Sequence, residues 1–257
     1  MSDLRLCLAQ ADLVWENKTE NLKLLYSMVK PVAEVDVIVL PEMFTTGFTM
    51  NAKDYAIAPN GDAVQWMIRL AAEKNACVVG SLIIVEAGKY YNRLFWVQPD
   101  GQYFSYNKRH LFTLAGEEKV YTPGNERLLI EYKGWRIMPL VCYDLRFPVW
   151  SRNNVNYDLL LYVANWPERR SYHWQQLLKA RAIENQSYVV GVNRVGNDGN
   201  GVFHSGNSAA IGALGEEITA ILPNEASTTI VTLSKNKLNE VRKKFSFLDD
   251  QDAFEIR

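Results

Sequence analysis

The sequence is poor in the residues from which disulfide frameworks and metal centres are built. It contains three cysteines and three histidines in 257 residues. An odd number of cysteines, at positions 7, 77 and 142, predicts neither a disulfide framework nor a cysteine-ligated metal, and favours a cytoplasmic location. The histidines form neither an HxH nor an HxxxH pair, so a zinc enzyme is not expected. We therefore expect no metal and no other cofactor.

The sequence also lacks a charge imbalance and long apolar runs. Its 28 basic and 29 acidic residues give a net charge of −1, which argues against nucleic acid as a partner. No apolar run approaches the length of a membrane span, and the polar start at residues 1–5 does not resemble a signal peptide. Because linkers, repeats and low-complexity segments are absent from the sequence, we expect one domain over residues 1–257. Residues 245–257 would be a tail that packs at an oligomer interface.

The hydrophobic pattern predicts a mixed α/β fold. Apolar runs that end at turn residues indicate buried strands, and apolar residues at helical spacing indicate helices. A helix followed by three strands with turns between them is typical of mixed sheets, here two sheets packed face to face with helices outside. The predicted helices are 21–32, 63–74, 171–185 (with Ser171 as its N-cap) and 237–244. The predicted strands are 4–10, 36–42, 77–85, 90–98, 103–108, 128–132, 135–141, 158–165, 187–193, 208–213, 217–222 and 228–233.

Three polar residues each stand at the end of a predicted strand: Glu42, Lys108 and Cys142. Taken singly, they could be a surface acid, an exposed lysine and a small buried cysteine. If their strands are neighbours in one sheet, however, the side chains converge on one edge. A helix predicted near Pro148 would favour a thiolate at Cys142. The joint placement predicts a cysteine nucleophile with Glu42 as its base and Lys108 as the nearby positive charge.

A series of short motifs occurs in order along nearly the whole chain. They are Gln10, Leu40-Pro-Glu42-Met-Phe44, Lys108-Arg-His-Leu-Phe112, Glu117 with Pro123-Gly124, Cys142-Tyr-Asp-Leu-Arg-Phe-Pro148, Asn165-Trp166, Arg181-Ala-Ile-Glu-Asn-Gln186 and Asn193-Arg-Val-Gly196. In this order they resemble the nitrilase superfamily of carbon–nitrogen hydrolases. The resemblance implies a four-layer α-β-β-α sandwich that usually dimerises, and no cofactor.

The resemblance also implies a mechanism. Cys142 would attack an amide carbonyl and form a thioester with release of ammonia. Glu42 would act as general base and then as acid for the leaving amine. Lys108 and the backbone N–H of Tyr143 would stabilise the oxyanion. Water activated by Glu42 would then hydrolyse the thioester.

Two further pairs of residues are assigned by the resemblance and by spacing. Glu117 resembles the family's second glutamate, which orients the lysine; its neighbour Glu118 fits the spacing to Pro123-Gly124 less well. Arg181 and Glu184 lie at i, i+3 on a predicted helix, which favours a structural ion pair.

The segment after the cysteine resembles the amidase branches that act on monoamides of small dicarboxylic acids. The segments 147–152 and 162–174 are similar to bacterial omega-amidases, which hydrolyse 2-oxoglutaramate and 2-oxosuccinamate and are linked to methionine salvage. Val149 departs from the glutamate that many members carry at that position. The alternatives are an amidase of the deaminated-glutathione type and, from another class, a non-catalytic binding protein on the same fold.

A substrate of this kind carries a carboxylate far from the amide, so its pocket needs a cation or several donors. Arg170 is the candidate for that role, with Trp166 as a pocket wall. The alternative for Arg170 is a solvated loop arginine beside Arg169. Arg194 has a weaker claim because its motif recurs in branches with other substrates.

Overall fold

The structure is a computed structural model that describes residues 3–256. Residues 1, 2 and 257, which end the predicted domain and tail, lie outside the described residues. The regular elements are β1 (Leu4–Gln10), α1 (Lys18–Val29), β2 (Val37–Val39), α2 (Ala52–Tyr55), α3 (Asp62–Lys74), β3 (Cys77–Glu86), β4 (Lys89–Val97), β5 (Tyr103–Asn107), β6 (Ile130–Tyr132), β7 (Trp135–Val141), α4 (Pro148–Ser151), β8 (Leu159–Ala164), α5 (Ser171–Asn185), β9 (Tyr188–Asn193), β10 (Val195–Asn197), β11 (Phe203–Ser205), β12 (Ala209–Ile211), β13 (Glu217–Ala220), β14 (Ser227–Leu233) and α6 (Lys235–Lys244).

The strands form two six-stranded mixed sheets and one small hairpin. The first sheet has the order β14-β1-β2-β3-β4-β5, and the second has the order β13-β12-β9-β8-β7-β6. Strands β1, β2 and β3 are parallel to one another, as are β7, β8 and β9. The flanking strands are antiparallel. The two sheets therefore share one plan, with a parallel centre whose strand ends lie at the same edge.

Alternation along β1 shows how the layers form. Leu4, Leu6 and Leu8 belong to the core between the two sheets, whereas Cys7 and Ala9 belong to the core beneath α1 and α3. Successive side chains of a strand point to opposite faces, so one apolar run supplies both cores. The arrangement is the predicted α-β-β-α sandwich.

Helix α5 covers the second sheet at close range. Gly191 of β9 lies beneath it, and a β-carbon there would sit 2.6 Å from the Trp174 ring and 2.8 Å from Leu178. Only glycine allows this approach. The predicted N-cap is wrong by one residue: Arg170 occupies the cap position without a side-chain hydrogen bond, and Ser171 is the first helical residue.

Other boundaries differ modestly from prediction. Strand β2 covers only three residues, although Leu40 N–H still donates to the Val79 carbonyl of β3 at 2.7 Å. The hairpin of β10 and β11 was not predicted. The tail residues 245–256 lie mostly on the surface, and the carbonyl of Phe245 accepts a hydrogen bond from Gln186 (2.6 Å). Within residues 3–256 no helix is long and apolar enough to cross a membrane.

Candidate active site

The three polar residues predicted to converge do so, but from two sheets. Lys108 follows β5 directly and Glu42 lies three residues beyond β2, both in the first sheet. Cys142 follows β7 in the second sheet. The convergence therefore does not come from neighbouring strands of one sheet. The sheets face each other with their corresponding edges aligned, and this brings the strand ends together across the core.

Lys108 is held between two buried carboxylates. Its Nζ donates to Glu42 Oε1 at 3.0 Å and to the Glu117 oxygens at 3.0 and 2.9 Å. Asn92 Nδ2 donates to Glu42 Oε1 at 2.8 Å. Glu42, Lys108 and Glu117 are at most 1% exposed, whereas Glu118 is exposed. Glu117, and not Glu118, therefore contacts the lysine.

The segment after β8 fixes the Glu42 side chain. The backbone N–H of Asn165 donates to Glu42 Oε2 at 2.8 Å, and the Asn165 side-chain amide donates to the Glu42 carbonyl at 2.6 Å. The Cys142 thiol faces the Asn165 carbonyl, with 4.0 Å from Sγ to O. Asn165 thus aligns the carboxylate with the thiol, a role that its place in a motif could suggest but not define.

Electrostatics set the protonation of the cluster. Burial alone would lower the pKa of Lys108, but Glu117 and Glu42 more than offset this, and the pKa is raised. Burial raises the pKa of Glu117, with Lys108 opposing the change. Burial and the Glu42 carboxylate raise the pKa of the Cys142 thiol well above its usual range, and Lys108 offsets only part of the rise. The resting cysteine is therefore a neutral thiol.

The prediction of a resting thiolate is wrong, and the local backbone gives a second reason. Cys142 begins a 3₁₀ turn that extends to Arg146, and the four-residue helix α4 starts only at Pro148. No α-helix N-terminus therefore lies at the sulfur. Cys142 instead has φ = 44°, a left-handed conformation that is costly for a residue with a β-carbon and is common at active sites.

A cavity of about 560 Å³ opens onto Cys142 and Lys108. Trp166 and Arg170 both line it, as predicted for them. Trp166 is 3% exposed, and its indole N–H donates to the Arg170 carbonyl at 2.8 Å. Apolar and aromatic side chains form much of the wall. The other lining residues that matter below are Phe48, Phe112, Tyr143, Arg146 and Arg169.

Two of the cavity's arginines lie over aromatic rings. The Arg170 guanidinium is 5.1 Å from the Phe112 ring centroid, and that of Arg146 is 4.7 Å from the Trp166 ring. Stacking of this kind holds a guanidinium in place while leaving its N–H groups free for a ligand. Sequence reasoning missed Arg146, although it lies in the cysteine motif. Arg194 is fully buried and does not line the cavity.

The remaining candidates are accounted for by packing. Arg181 forms the predicted ion pair with Glu184 (2.9 Å) and also donates to the Leu145 carbonyl at 2.7 Å. His110 stacks on Phe147, with ring centroids 3.7 Å apart. Among residues 3–256, no group of three or more histidine, cysteine or carboxylate side chains could hold a metal ion.

Comparison with known proteins adds independent findings. The family model described as carbon-nitrogen hydrolase matches residues 5–243. The chain is 48% identical to an omega-amidase of Yersinia enterocolitica over 254 residues, 99% of each chain. It is 32% identical to a 2-oxoglutaramate amidase of Bacillus subtilis over 94% of this chain and 95% of that one. The crystal structure of a CN-hydrolase superfamily protein from Xanthomonas campestris superposes with a TM-score of 0.98 at 42% identity, covering all of both chains.

Proposed function

The chain belongs to the carbon-nitrogen hydrolase family, and on that premise we propose that it is an omega-amidase. It would hydrolyse the terminal amide of 2-oxoglutaramate and 2-oxosuccinamate to the acid and ammonia. The names of its relatives support this substrate class. The observation that carries the proposal is Lys108, held between Glu42 and Glu117 beside Cys142 in the wall of the cavity.

In the first half-reaction Cys142 Sγ attacks the amide carbon and the thiol proton passes to Glu42. Because the thiol is neutral at rest, attack needs a base at the moment of bond formation. Glu42 is the carboxylate whose charge and hydrogen bond act directly on this thiol. The C–N bond then breaks as Glu42 returns the proton to the nitrogen. Ammonia leaves, and the acyl group stays on Cys142 as a thioester.

The developing oxyanion needs donors in fixed positions. Lys108 remains protonated because two carboxylates raise its pKa, and the Tyr143 N–H, next to the nucleophile, is the second donor. Glu117 holds the Lys108 ammonium through both of its oxygens. In the second half-reaction Glu42 takes a proton from water, hydroxide attacks the thioester, and Cys142 leaves as a thiol.

The distal carboxylate of the substrate would bind at the arginine side of the cavity. Arg170 is the proposed partner, since its guanidinium lies over Phe112 inside the cavity. Trp166 forms the adjoining wall.

We also propose that the enzyme acts as a cytoplasmic homodimer or higher homo-oligomer. Exposed apolar residues on the second-sheet side, Ile183 and Leu214 at 53% and 52% exposure, support this assembly.

A longer amide with a similar carboxylate is the second candidate substrate. The cavity of about 560 Å³ has more room than a five-carbon keto acid needs, so an amidase of the deaminated-glutathione type fits the same walls. The alternative of a non-catalytic binding protein has no such support, since a scaffold has no use for a buried lysine between two carboxylates beside a thiol.

The test is ammonia release from 2-oxoglutaramate, 2-oxosuccinamate, glutamine and deaminated glutathione. We expect the wild type to favour the two keto-acid amides. Cys142→Ala should lower kcat by on the order of 10⁴-fold or more, and Glu42→Gln by about 10³-fold. Both variants should unfold at the wild-type temperature, because neither side chain contributes much to the apolar core.

Thiol labelling provides the control for reactivity. Cys7 and Cys77 are fully buried, and burial raises the pKa of each to about 12. Selective alkylation of Cys142 would therefore show only that the reagent reaches this cysteine and not the other two, and not that its thiol is activated. The informative comparison is the alkylation rate of Cys142 at neutral pH in wild type and in Glu42→Gln, which should be faster because the carboxylate that raises the pKa of the thiol is removed. Substantial turnover by Cys142→Ala would refute the mechanism, whereas turnover of other amides only would refute the substrate class.

A further inference from the structure

A third buried carboxylate, Asp144, lies two residues after the nucleophile. It is fully buried and accepts four hydrogen bonds. Its Oδ2 accepts from the Val141 N–H at 3.0 Å and from the Tyr106 hydroxyl at 2.8 Å. Its Oδ1 accepts from the His110 N–H at 3.0 Å and from His110 Nδ1 at 2.8 Å. None of the catalytic steps above uses this carboxylate.

The four donors come from both sheets. Val141 precedes Cys142 at the end of β7, in the second sheet. His110 lies two residues after Lys108, and Tyr106 two residues before it, on the first-sheet side. One carboxylate therefore joins the backbone that carries the nucleophile to the backbone that carries the lysine. Tyr143, whose N–H is the proposed oxyanion donor, lies between Cys142 and Asp144.

A second layer fixes the direction of these bonds. The Tyr106 oxygen accepts from the Arg109 N–H at 3.1 Å and from Trp150 Nε1 at 3.0 Å. Its own proton is thereby directed to Asp144. The His110 ring is clamped against Phe147 with an interplanar angle of 5°, so Nδ1 stays aimed at the carboxylate. A buried network in which the groups are paired in this way is rigid.

We propose that Asp144 is a positioning residue that sets the spacing between Lys108 and the Cys142–Tyr143 backbone, and so places the two oxyanion donors relative to the sulfur. This inference rests on the proposed amidase mechanism. In Asp144→Asn an NH₂ group replaces one of the two carboxylate oxygens. In either orientation of the amide, this group would face hydrogen-bond donors from which it cannot accept. One tie between the sheets would then be lost while the shape of the side chain is kept.

The experiment compares Asp144→Asn with Asp158→Asn, using 2-oxoglutaramate. Asp158 is also a buried carboxylate that accepts from the backbone of β7 (Arg136 N–H, 2.8 Å), but it precedes β8, at the far end from the site. Asp144→Asn should lower kcat by about 100-fold, the loss typical of a misplacement of about 1 Å. KM should stay within about threefold. Asp158→Asn should lower the unfolding temperature and leave kcat close to the wild-type value.

Alkylation by iodoacetamide separates positioning from general damage, because that reaction builds no oxyanion. In Asp144→Asn the alkylation rate of Cys142 should change by less than about threefold while kcat falls. A kcat equal to that of the wild type would overturn the inference. So would equal losses of kcat and alkylation rate, which would indicate a merely structural residue.

Tyr106→Phe is the second variant, should Asp144→Asn fail to fold. It removes one of the four donors and should lower kcat by about fivefold, with unchanged alkylation, consistent with the modest value of one neutral hydrogen bond. An unchanged kcat in Tyr106→Phe would count against the inference. Cys142→Ala, measured in parallel, distinguishes the two proposals: if that variant turns over substrate, the mechanism itself has failed.

Discussion

Two clusters of buried charge lie at opposite ends of the two facing sheets, and they are built in opposite ways. The lysine cluster (Glu42, Lys108 and Glu117) has two carboxylates around one cation. The aspartate cluster has one carboxylate between two cations. It consists of Asp158, which pairs with Lys235 and, at 3.0 Å, with Arg242.

The two clusters differ in whether their surplus charge is solvated. In the aspartate cluster the Arg242 side chain is 22% exposed, so its charge is partly solvated. In the lysine cluster all three side chains are at most 1% exposed, and the surplus is negative and faces a thiol. Paired buried charges fasten α6 to the sheet, whereas an unbalanced buried set is costly for folding and indicates function.

The largest effect that separates the clusters should be on stability. Asp158→Asn leaves Lys235 and Arg242 without their carboxylate, and breaking a buried pair in this way costs about 3–5 kcal/mol. Denaturant unfolding should show that loss in the free energy of unfolding, while kcat stays unchanged. Lys235→Met is the matched control. It removes one partner of Asp158, but Asp158 stays paired with Arg242, so this variant should lose less free energy of unfolding than Asp158→Asn. An Asp158→Asn variant with the wild-type free energy of unfolding would contradict the structural role given to the aspartate cluster.

The next effect should fall on turnover and not on stability. Glu117→Gln removes one carboxylate from the lysine cluster, so the Lys108 ammonium loses its second anchor. We expect kcat to fall by about 100-fold with the unfolding temperature little changed, since the surplus charge is also relieved. The neighbouring exposed glutamate supplies the control: Glu118→Gln should behave as wild type. Equal activities of the two variants would show that the buried carboxylate is dispensable.

The smallest effect concerns the arginines that line the same cavity. Arg170→Ala should raise KM by about tenfold for 2-oxoglutaramate and much less for a neutral amide without a distal carboxylate, since a charge-assisted hydrogen bond is worth about 1.5–3 kcal/mol. Arg169→Ala, also at the cavity, is the matched control. A KM ratio between the two amides that does not change would remove Arg170 from the substrate site.

Much of the fold was predictable because many of its strands are mostly apolar segments bounded by turn residues. Strands β1 and β7 have the predicted bounds, 4–10 and 135–141. The hairpin of β10 and β11 was missed because residues 195–205 are rich in glycine and asparagine and carry no strand pattern. Its pairing is set by contacts distant in the chain, such as the parallel bridge between Asp12 and Val195.

The site was predictable in its members but not in its assembly. Glu42, Lys108 and Cys142 were found because each stands at the end of a predicted strand. The alignment of the two sheets leaves no local signal in the sequence, so the sequence did not show that these residues meet across the core from two sheets. The state of the thiol was mispredicted for a related reason. Its pKa depends on burial and on a carboxylate 100 residues away in the sequence, and neither is visible in the residues around Cys142.

The pairing of β1 with β14 has a consequence for how the protein is made. Leu4 pairs with Leu233 and Gln10 with Ser227, so β1 cannot complete its pairing until β14 has been synthesised. A nascent chain on the ribosome that has reached residue 142 already contains the nucleophile, the lysine and both glutamates. It still lacks β8, β9 and β14, including the Asn165 segment that aligns Glu42. The first sheet is complete only after translation has passed residue 233, so a stalled or truncated product would carry the reactive groups in an incomplete fold.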